Sequence, residues 1–337
     1  THLFSSAASD VYKRQVVEKG FRELPLPKFS KIKKILTKST NIFILYENGE
    51  LYGIGRNTSG TLGQGNISDS SYFKLILTNI KDVFSDKSFD TPVFALNNLN
   101  TLYGWGASKS TLGLGNNNEQ VNIPEVISIS ELQAGEYITN VIILGYQNKS
   151  GLSIFAISNL GAIFATGANS VGQLGLGHTT TTYFFSKIGG VLTTKQVINV
   201  KCTSHCYTNV DNIFPSTLFL TSDNEIYSCG SNPNGQLGLG HTTNVSTPTK
   251  LNLSNVKAIY SPFSSTAYFS VTNDNKLYGW GAKKYLGINQ TSGVSLTPVN
   301  ITFIDNTGQV DNSGVKYFYC SEAVSYTHLT LPTRRGV

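Results

Sequence analysis

Five times along its 337 residues the chain repeats a segment of the form apolar–aromatic–x–x–Gly: LYGIG (51–55), LYGWG (102–106), IFATG (163–167), IYSCG (226–230) and LYGWG (277–281). The anchoring aromatics Tyr52, Tyr103, Phe164, Tyr227 and Tyr278 stand 51, 61, 63 and 51 residues apart. A period of that length is the signature of one supersecondary unit stacked on copies of itself, which excludes most single-core folds. The string GQLGLGHTT, present at 172–180 and again at 235–243, marks the same duplication.

Each unit divides into readable parts. Three residues before the anchor stands Gly49, Asn100, Gly161, Asn224 or Asn275, the residue types that accept positive φ in a tight hairpin turn. Ahead of that turn run IFILY (42–46), PVFAL (92–96), SIFAI (153–157), TLFLT (217–221) and AYFSV (267–271), and after it the aromatic strand. Gly55, Gly106, Gly167, Gly230 and Gly281 follow every anchor by three residues, which implies a bulge or a close backbone approach. Next comes SGTLGQG, STLGLG, GQLGLG, GQLGLG or the degraded YLGIN, in which Leu62, Leu112, Leu174, Leu237 and Leu286 hold the apolar position. A leucine between glycines fits a compact loop that plugs its side chain into a core. Pro124, Pro248 and Pro298 then precede a short strand, as expected of an outer edge. A further strand, as in SNVKAIYS (254–261), leads into the next unit.

Four short antiparallel strands per unit predict an all-β fold, a β-propeller of four-stranded blades with about five complete blades and a partial one. The WD-type repeat is shorter and would show its Trp-Asp dipeptide, and the double glycine of kelch repeats is missing. The combination of apolar-Tyr-x-x-Gly with Gly-Gln-Leu-Gly-Leu-Gly resembles the repeat of the regulator of chromosome condensation family, over roughly residues 30–322. That resemblance implies a seven-bladed parent. VKYFYCSEA (315–323) reads as the opening strand of a sixth unit, by likeness to VKAIYSPFS.

Both ends of the chain read as foreign to the repeat. One DNA strand encodes SSAASDVYKRQ (5–15), and its reverse complement encodes VSYTHLTLPT (324–333), the pattern of a transposase adapter carried into an assembled read. Residues 1–15 and 324–337 are therefore expected to be adapter-derived and disordered, with an incomplete propeller over 16–323. The formal net charge of +6 then owes half its excess to the terminal Lys13, Arg14, Arg334 and Arg335 net of Asp10, so the basic balance does not argue for nucleic acid. The Lys19, Arg22, Lys28, Lys31, Lys33, Lys34 cluster reads as a solvated strand face. No apolar run is long enough to span a membrane as a helix.

Candidate chemical groups reduce to structural ones. Cys202, His205 and Cys206 lack the fourth ligand that a structural zinc site wants. His178 and His241 occupy the position that Asn66 and Asn116 hold in sister units, so a polar loop residue suffices there. Trp105 and Trp280, in identical LYGWG contexts, read as blade packing, and the Gly-Trp-Arg-His-Thr pattern of the related plant ultraviolet receptors is missing. No catalytic, cofactor-binding or metal-binding residue is assigned, and no cofactor is expected. Seven Asn-x-Ser/Thr sequons, at Asn57, Asn66, Asn148, Asn244, Asn252, Asn289 and Asn300, leave a secreted or surface-bound binding propeller open. The leading reading is a non-enzymatic protein-interaction propeller, with contacts in the longer stretches GYQNKSG (145–151) and CYTNVDNIFP (206–215). The family resemblance implies two further readings: guanine-nucleotide exchange on a Ran-type small GTPase, and a place in the cytoplasm or nucleus.

Overall fold

The residue three places before each aromatic anchor sets the geometry of its unit. Gly49, Asn100, Gly161, Asn224 and Asn275 all hold positive φ, from +61° to +83°, so the flanking strands fold back on each other as a tight hairpin. The pairs are Asn41–Tyr46 with Leu51–Gly55, Val93–Asn97 with Leu102–Trp105, and Gly151–Ser158 with Ile163–Gly167. Ser216–Thr221 with Ile226–Gly230, and Ala267–Thr272 with Leu277–Ala282, complete the set. The computed structural model describes residues 30–86, 91–146, 151–203, 215–262, 266–288, 290, 292–304, 310–311, 317–320 and 327–330.

One more strand joins each side of every hairpin, giving five four-stranded antiparallel sheets, here blades 1 to 5. The first strands are Ile32–Thr37, Ile80–Ser85, Ile138–Tyr146, Val197–Thr203 and Val256–Tyr260. The fourth are Ser70–Leu77, Glu125–Val126, Thr182–Lys187, Val245–Lys250 and Val294–Asn300. First strands of successive blades lie beside one another, so the sheets radiate from that edge and the fourth strands form the rim of a β-propeller.

Stacking of blades buries the two middle strands on both faces, which is why they read as unbroken apolar runs instead of alternating ones. Phe43, Phe94, Phe155, Leu218 and Phe269, at equivalent positions of the second strands, are all buried. Clusters of buried side chains run across blade boundaries: Leu62 of blade 1 shares one with Phe94 and Trp105 of blade 2, and Leu220 of blade 4 another with Trp280 of blade 5.

At the rim, Pro124 precedes its strand as expected, whereas Pro248 and Pro298 lie within theirs. The ladder to the third strand breaks register there, between Ser228 and Gly230 and between Gly279 and Gly281, so the missing N–H of proline costs no ladder bond. Tyr317–Cys320 form a strand paired with Thr327–Thr330. Residues 1–15 lie outside the described residues.

Candidate functional site

The connections from third to fourth strand carry the repeated glycine–leucine motif, and their geometry starts at the glycine that closes each third strand. Gly55, Gly106, Gly167, Gly230 and Gly281 all hold positive φ, between +81° and +119°. In four blades the following residue donates its N–H to a carbonyl at the start of the second strand or just ahead of it: Arg56 to Thr40 (3.2 Å), Ala168 to Leu152 (2.8 Å), Ser231 to Pro215 (2.9 Å) and Ala282 to Thr266 (3.0 Å). A Cβ on the glycine would overlap that same carbonyl oxygen, so the approach admits no side chain.

Two residues further on, three blades place an asparagine that organises the whole loop. Asn57, Asn169 and Asn232 are fully buried. Each accepts at Oδ1 the backbone N–H of the plug leucine: Leu62 (2.8 Å), Leu174 (2.9 Å) and Leu237 (2.9 Å). Each donates from Nδ2 across the loop to the carbonyl of Asn66 (2.9 Å), His178 (2.8 Å) or His241 (2.8 Å). One carboxamide thus satisfies a buried donor and pins the far side of the turn. Blade 2 uses Ser108, which caps a one-turn helix, Lys109–Leu112, by accepting from the Thr111 N–H (3.4 Å). Blade 5 has a 3₁₀ turn, Lys283–Tyr285. Leu62, Leu112, Leu174, Leu237 and Leu286 are all buried.

The loop's far end reaches the next blade. Gly65 donates its N–H to Asn122 O (2.8 Å), Gly115 to Tyr183 O (3.0 Å), Gly177 to Ser246 O (2.9 Å) and Gly240 to Leu296 O (2.9 Å). At all four junctions among blades 1 to 5, then, a loop of one blade is hydrogen-bonded along the rim of its successor.

A family model, Regulator of chromosome condensation (RCC1) repeat, matches residues 223–270, from the hairpin turn of blade 4 into the second strand of blade 5. The human "RCC1-like G exchanging factor-like protein" is 40% identical over 87 residues, 25% of this chain and 18% of its own length. The ultraviolet-B receptor UVR8 of Arabidopsis thaliana is 24% identical over 257 residues, 74% of this chain and 53% of the receptor. The chain thus carries an RCC1 repeat at 223–270 and is similar to RCC1-repeat proteins over more of its length. The crystal structure of human WBSCR16 superposes with a TM-score of 0.59 at 17% identity, over 83% of this chain and 70% of that one. Yeast RCC1 (Prp20), solved with Kap60, gives 0.55 at 17% identity, over 80% and 63%. These two show the shared fold, and the chain spans about half or less of the length of the curated relatives it matches.

In these blades the residue before the strand-closing glycine faces the preceding loop. Trp105 donates its Nε1–H to Thr61 O and Trp280 to Gln236 O, both at 2.9 Å across a sequence separation of 44. Both indoles are fully buried, so they bolt one blade to the next. In blade 4 the position is Cys229, 3.5 Å from Gln173 O, and Thr217 Oγ1 supplies the stronger donor at 2.7 Å. Burial pushes the Cys229 thiol well up and the Cys202 thiol up to about 12, so both are inert neutral thiols near pH 7. His205 and Cys206 lie outside the described residues. Among the described residues no group of three metal-ligating side chains occurs, and no helix is long and apolar enough to cross a membrane.

The opposite end of blade 4 carries the densest charge network among the described residues. Glu225 accepts from Lys250, from Lys195 at 2.9 Å and from Tyr227 Oη at 2.7 Å, and Lys195 also pairs with Asp223. The Lys250 ammonium, then that of Lys195, holds the Glu225 carboxyl down at about 2. The network ties the linker into blade 4, its hairpin turn and its rim strand together. Sequence reasoning missed this network and the buried asparagines. The asparagines had a signal, Gly-x-Asn with leucine five residues on, in three of five units. Among the sequons, Asn57 is buried with its Nδ2 committed, so it is closed to a glycan.

Proposed function

We propose that the chain is a non-enzymatic protein-interaction propeller, gripping its partner at the end of the blades from which the first-to-second and third-to-fourth connections emerge. The observation that carries this reading is a division of labour at that end. The repeated glycine–leucine loops are consumed in holding blades together. The longer connections, from Tyr146 to Gly151 and from Thr203 to Ser216, leave from the same end without a repeat signature, where contacts vary without disturbing the scaffold. Residues 147–150 and 204–214 themselves lie outside the described residues. The interacting unit proposed is residues 16–323.

A second reading, guanine-nucleotide exchange on a Ran-type GTPase, draws support from relatives whose names carry that activity. Among them is the Bos taurus "Secretion-regulating guanine nucleotide exchange factor", 38% identical over 90 residues, 27% of this chain and 17% of its own length. Exchange needs only a surface that binds the nucleotide-free GTPase more tightly than the loaded one, so it breaks no bond and requires no catalytic side chain. Release of a fluorescent GDP from a Ran-type GTPase, with and without the chain, tests it. Accelerated release supports exchange, stable binding without acceleration leaves the interaction reading, and neither result removes Ran-type GTPases as partners. Replacing 147–150 and 204–214 by Gly-Ser linkers should abolish binding while the blades stay folded; unchanged binding would place the contact surface elsewhere.

A further inference from the structure

Two of the five loops carry an imidazole at the point where blade 1 has Asn66. Both imidazoles are placed alike. His178 Nδ1 lies 3.3 Å from the Thr180 N–H nitrogen, 2.9 Å from Thr180 Oγ1 and 3.4 Å from Asn169 Nδ2. His241 Nδ1 lies 3.3 Å from the Thr243 nitrogen, 2.9 Å from Thr243 Oγ1 and 3.3 Å from Asn232 Nδ2. A backbone N–H and a carboxamide NH₂ can only donate, so Nδ1 must be the acceptor and the proton of the neutral ring sits on Nε2. In blade 1 the same bond is made by a group that does not titrate: Ser68 N–H donates to Asn66 Oδ1 at 2.9 Å.

The two loops carry no charged side chain of their own. Residues 168–182 and 231–247 contain no Asp, Glu, Lys or Arg. Against the glycines of the first loop lie Ser246, Thr247, Pro248 and Cys229, with Thr217 Oγ1 on Gln173 O, and against those of the second Ser295, Leu296, Thr297, Leu251 and Trp280. Of these only the Cys229 thiol titrates, and burial keeps it neutral. Each histidine is exposed and free to take a proton from solvent.

We infer that His178 and His241 form a paired acid-sensitive latch: protonation at Nδ1 turns each loop's acceptor into a donor facing two donors, and so loosens the blade 3–4 and 4–5 junctions. The proton taken from water adds an N–H where the Thr180 or Thr243 amide had bonded; only the threonine hydroxyl can reverse its role to accept. The two loops are those that dock onto Ser246 O and Leu296 O, whereas the loops of blades 1 and 2 contain no histidine. The latch is closed while the ring is neutral and opens when the ring takes its proton. Partner grip at the same end of the propeller would be modulated by acid, but the latch stands whether or not the proposed interaction function does.

Nitrogen-15 NMR of the whole chain tests the inference. At pH 7.5 both imidazoles should show the Nε2–H tautomer. Between pH 7.5 and 5.5 the protection of the Thr180 and Thr243 amides against exchange, corrected for intrinsic rate, should fall about five-fold, the equivalent of one neutral hydrogen bond. Ser68 should not respond. The His178→Asn/His241→Asn double variant installs the blade 1 solution and should hold the Thr180 and Thr243 protection flat with pH. Each single variant should flatten one loop and leave the other as it was. An Nδ1–H tautomer at pH 7.5, protection unchanged by acid in the unmodified chain, or a response that persists in the double variant would each overturn the latch.

Discussion

Replacing Asn232 by alanine removes three contacts at once from a position with no access to water. The Leu237 N–H loses its acceptor, His241 O loses a donor, and the Nδ2 contact to the His241 ring goes with them. The leucine amide is buried and stranded, which costs about 1–3 kcal/mol; the histidine carbonyl, on an exposed residue, recovers water and loses little. We expect a total of about 2–3 kcal/mol and, at the shift per kcal/mol typical of large domains, a fall of roughly 5–10 °C in midpoint. Calorimetry gives the magnitude, and tryptophan emission reports the site, because Trp280 Nε1 is bonded to Gln236 O of the same loop. Asn234→Ala is the matched control, since at Asn234 it is the backbone N–H, bonded to Gln236 Oε1, that alanine retains. A midpoint lowered by less than about 1 °C, or an equal loss from both variants, would refute the role given to the buried asparagine.

Other perturbations have equally definite outcomes. Gly167→Val should lower stability by about 1–3 kcal/mol in urea melts through positive φ and overlap with Leu152 O, whereas Gly135→Ala, with φ at +77° but nothing within 4 Å of the added carbon, should show only the backbone term of about 1–2 kcal/mol. Leu62→Ala, at a fully buried plug, should cost about 2–5 kcal/mol, and Trp280→Phe about 1–3 kcal/mol by leaving Gln236 O unpaired. Because the Glu225 carboxyl lies at about 2 in the fold and near 4.3 in an unfolded chain, its stabilisation is complete above about pH 4.5. It is lost as pH falls toward 2, and Glu225→Gln should flatten that part of an acid titration of the thermal midpoint.

The repeat was plain in the sequence because its anchors are backbone constraints: a turn that needs Gly49 or Asn100, a carbonyl approach that excludes everything but Gly55. Such positions tolerate few residue types and so repeat letter for letter. Buried Leu62 and its counterparts were readable for a similar reason, as apolar letters in a glycine frame. What holds one blade to the next was less visible, since Gly65 N–H to Asn122 O and its three equivalents are backbone bonds with no side-chain code. The Lys195–Glu225–Lys250 network draws on residues 55 positions apart that belong to one blade only. No repeat pattern flags it, and surface charges at that separation look like ordinary solvation.

The bonds from each loop to its neighbour's rim also set how the propeller would come apart under load. Pulled by its two ends, a stack of independent sheets would yield at whichever sheet is weakest. Here blade 2 cannot shed its rim segment at Asn122 without first tearing the Gly65 contact from blade 1, and the same obstacle recurs at Tyr183, Ser246 and Leu296. Each tooth of this ratchet is a main-chain bond of similar strength, so extension should proceed as a train of evenly sized rips travelling from one terminus, a record that single-molecule force spectroscopy would read directly.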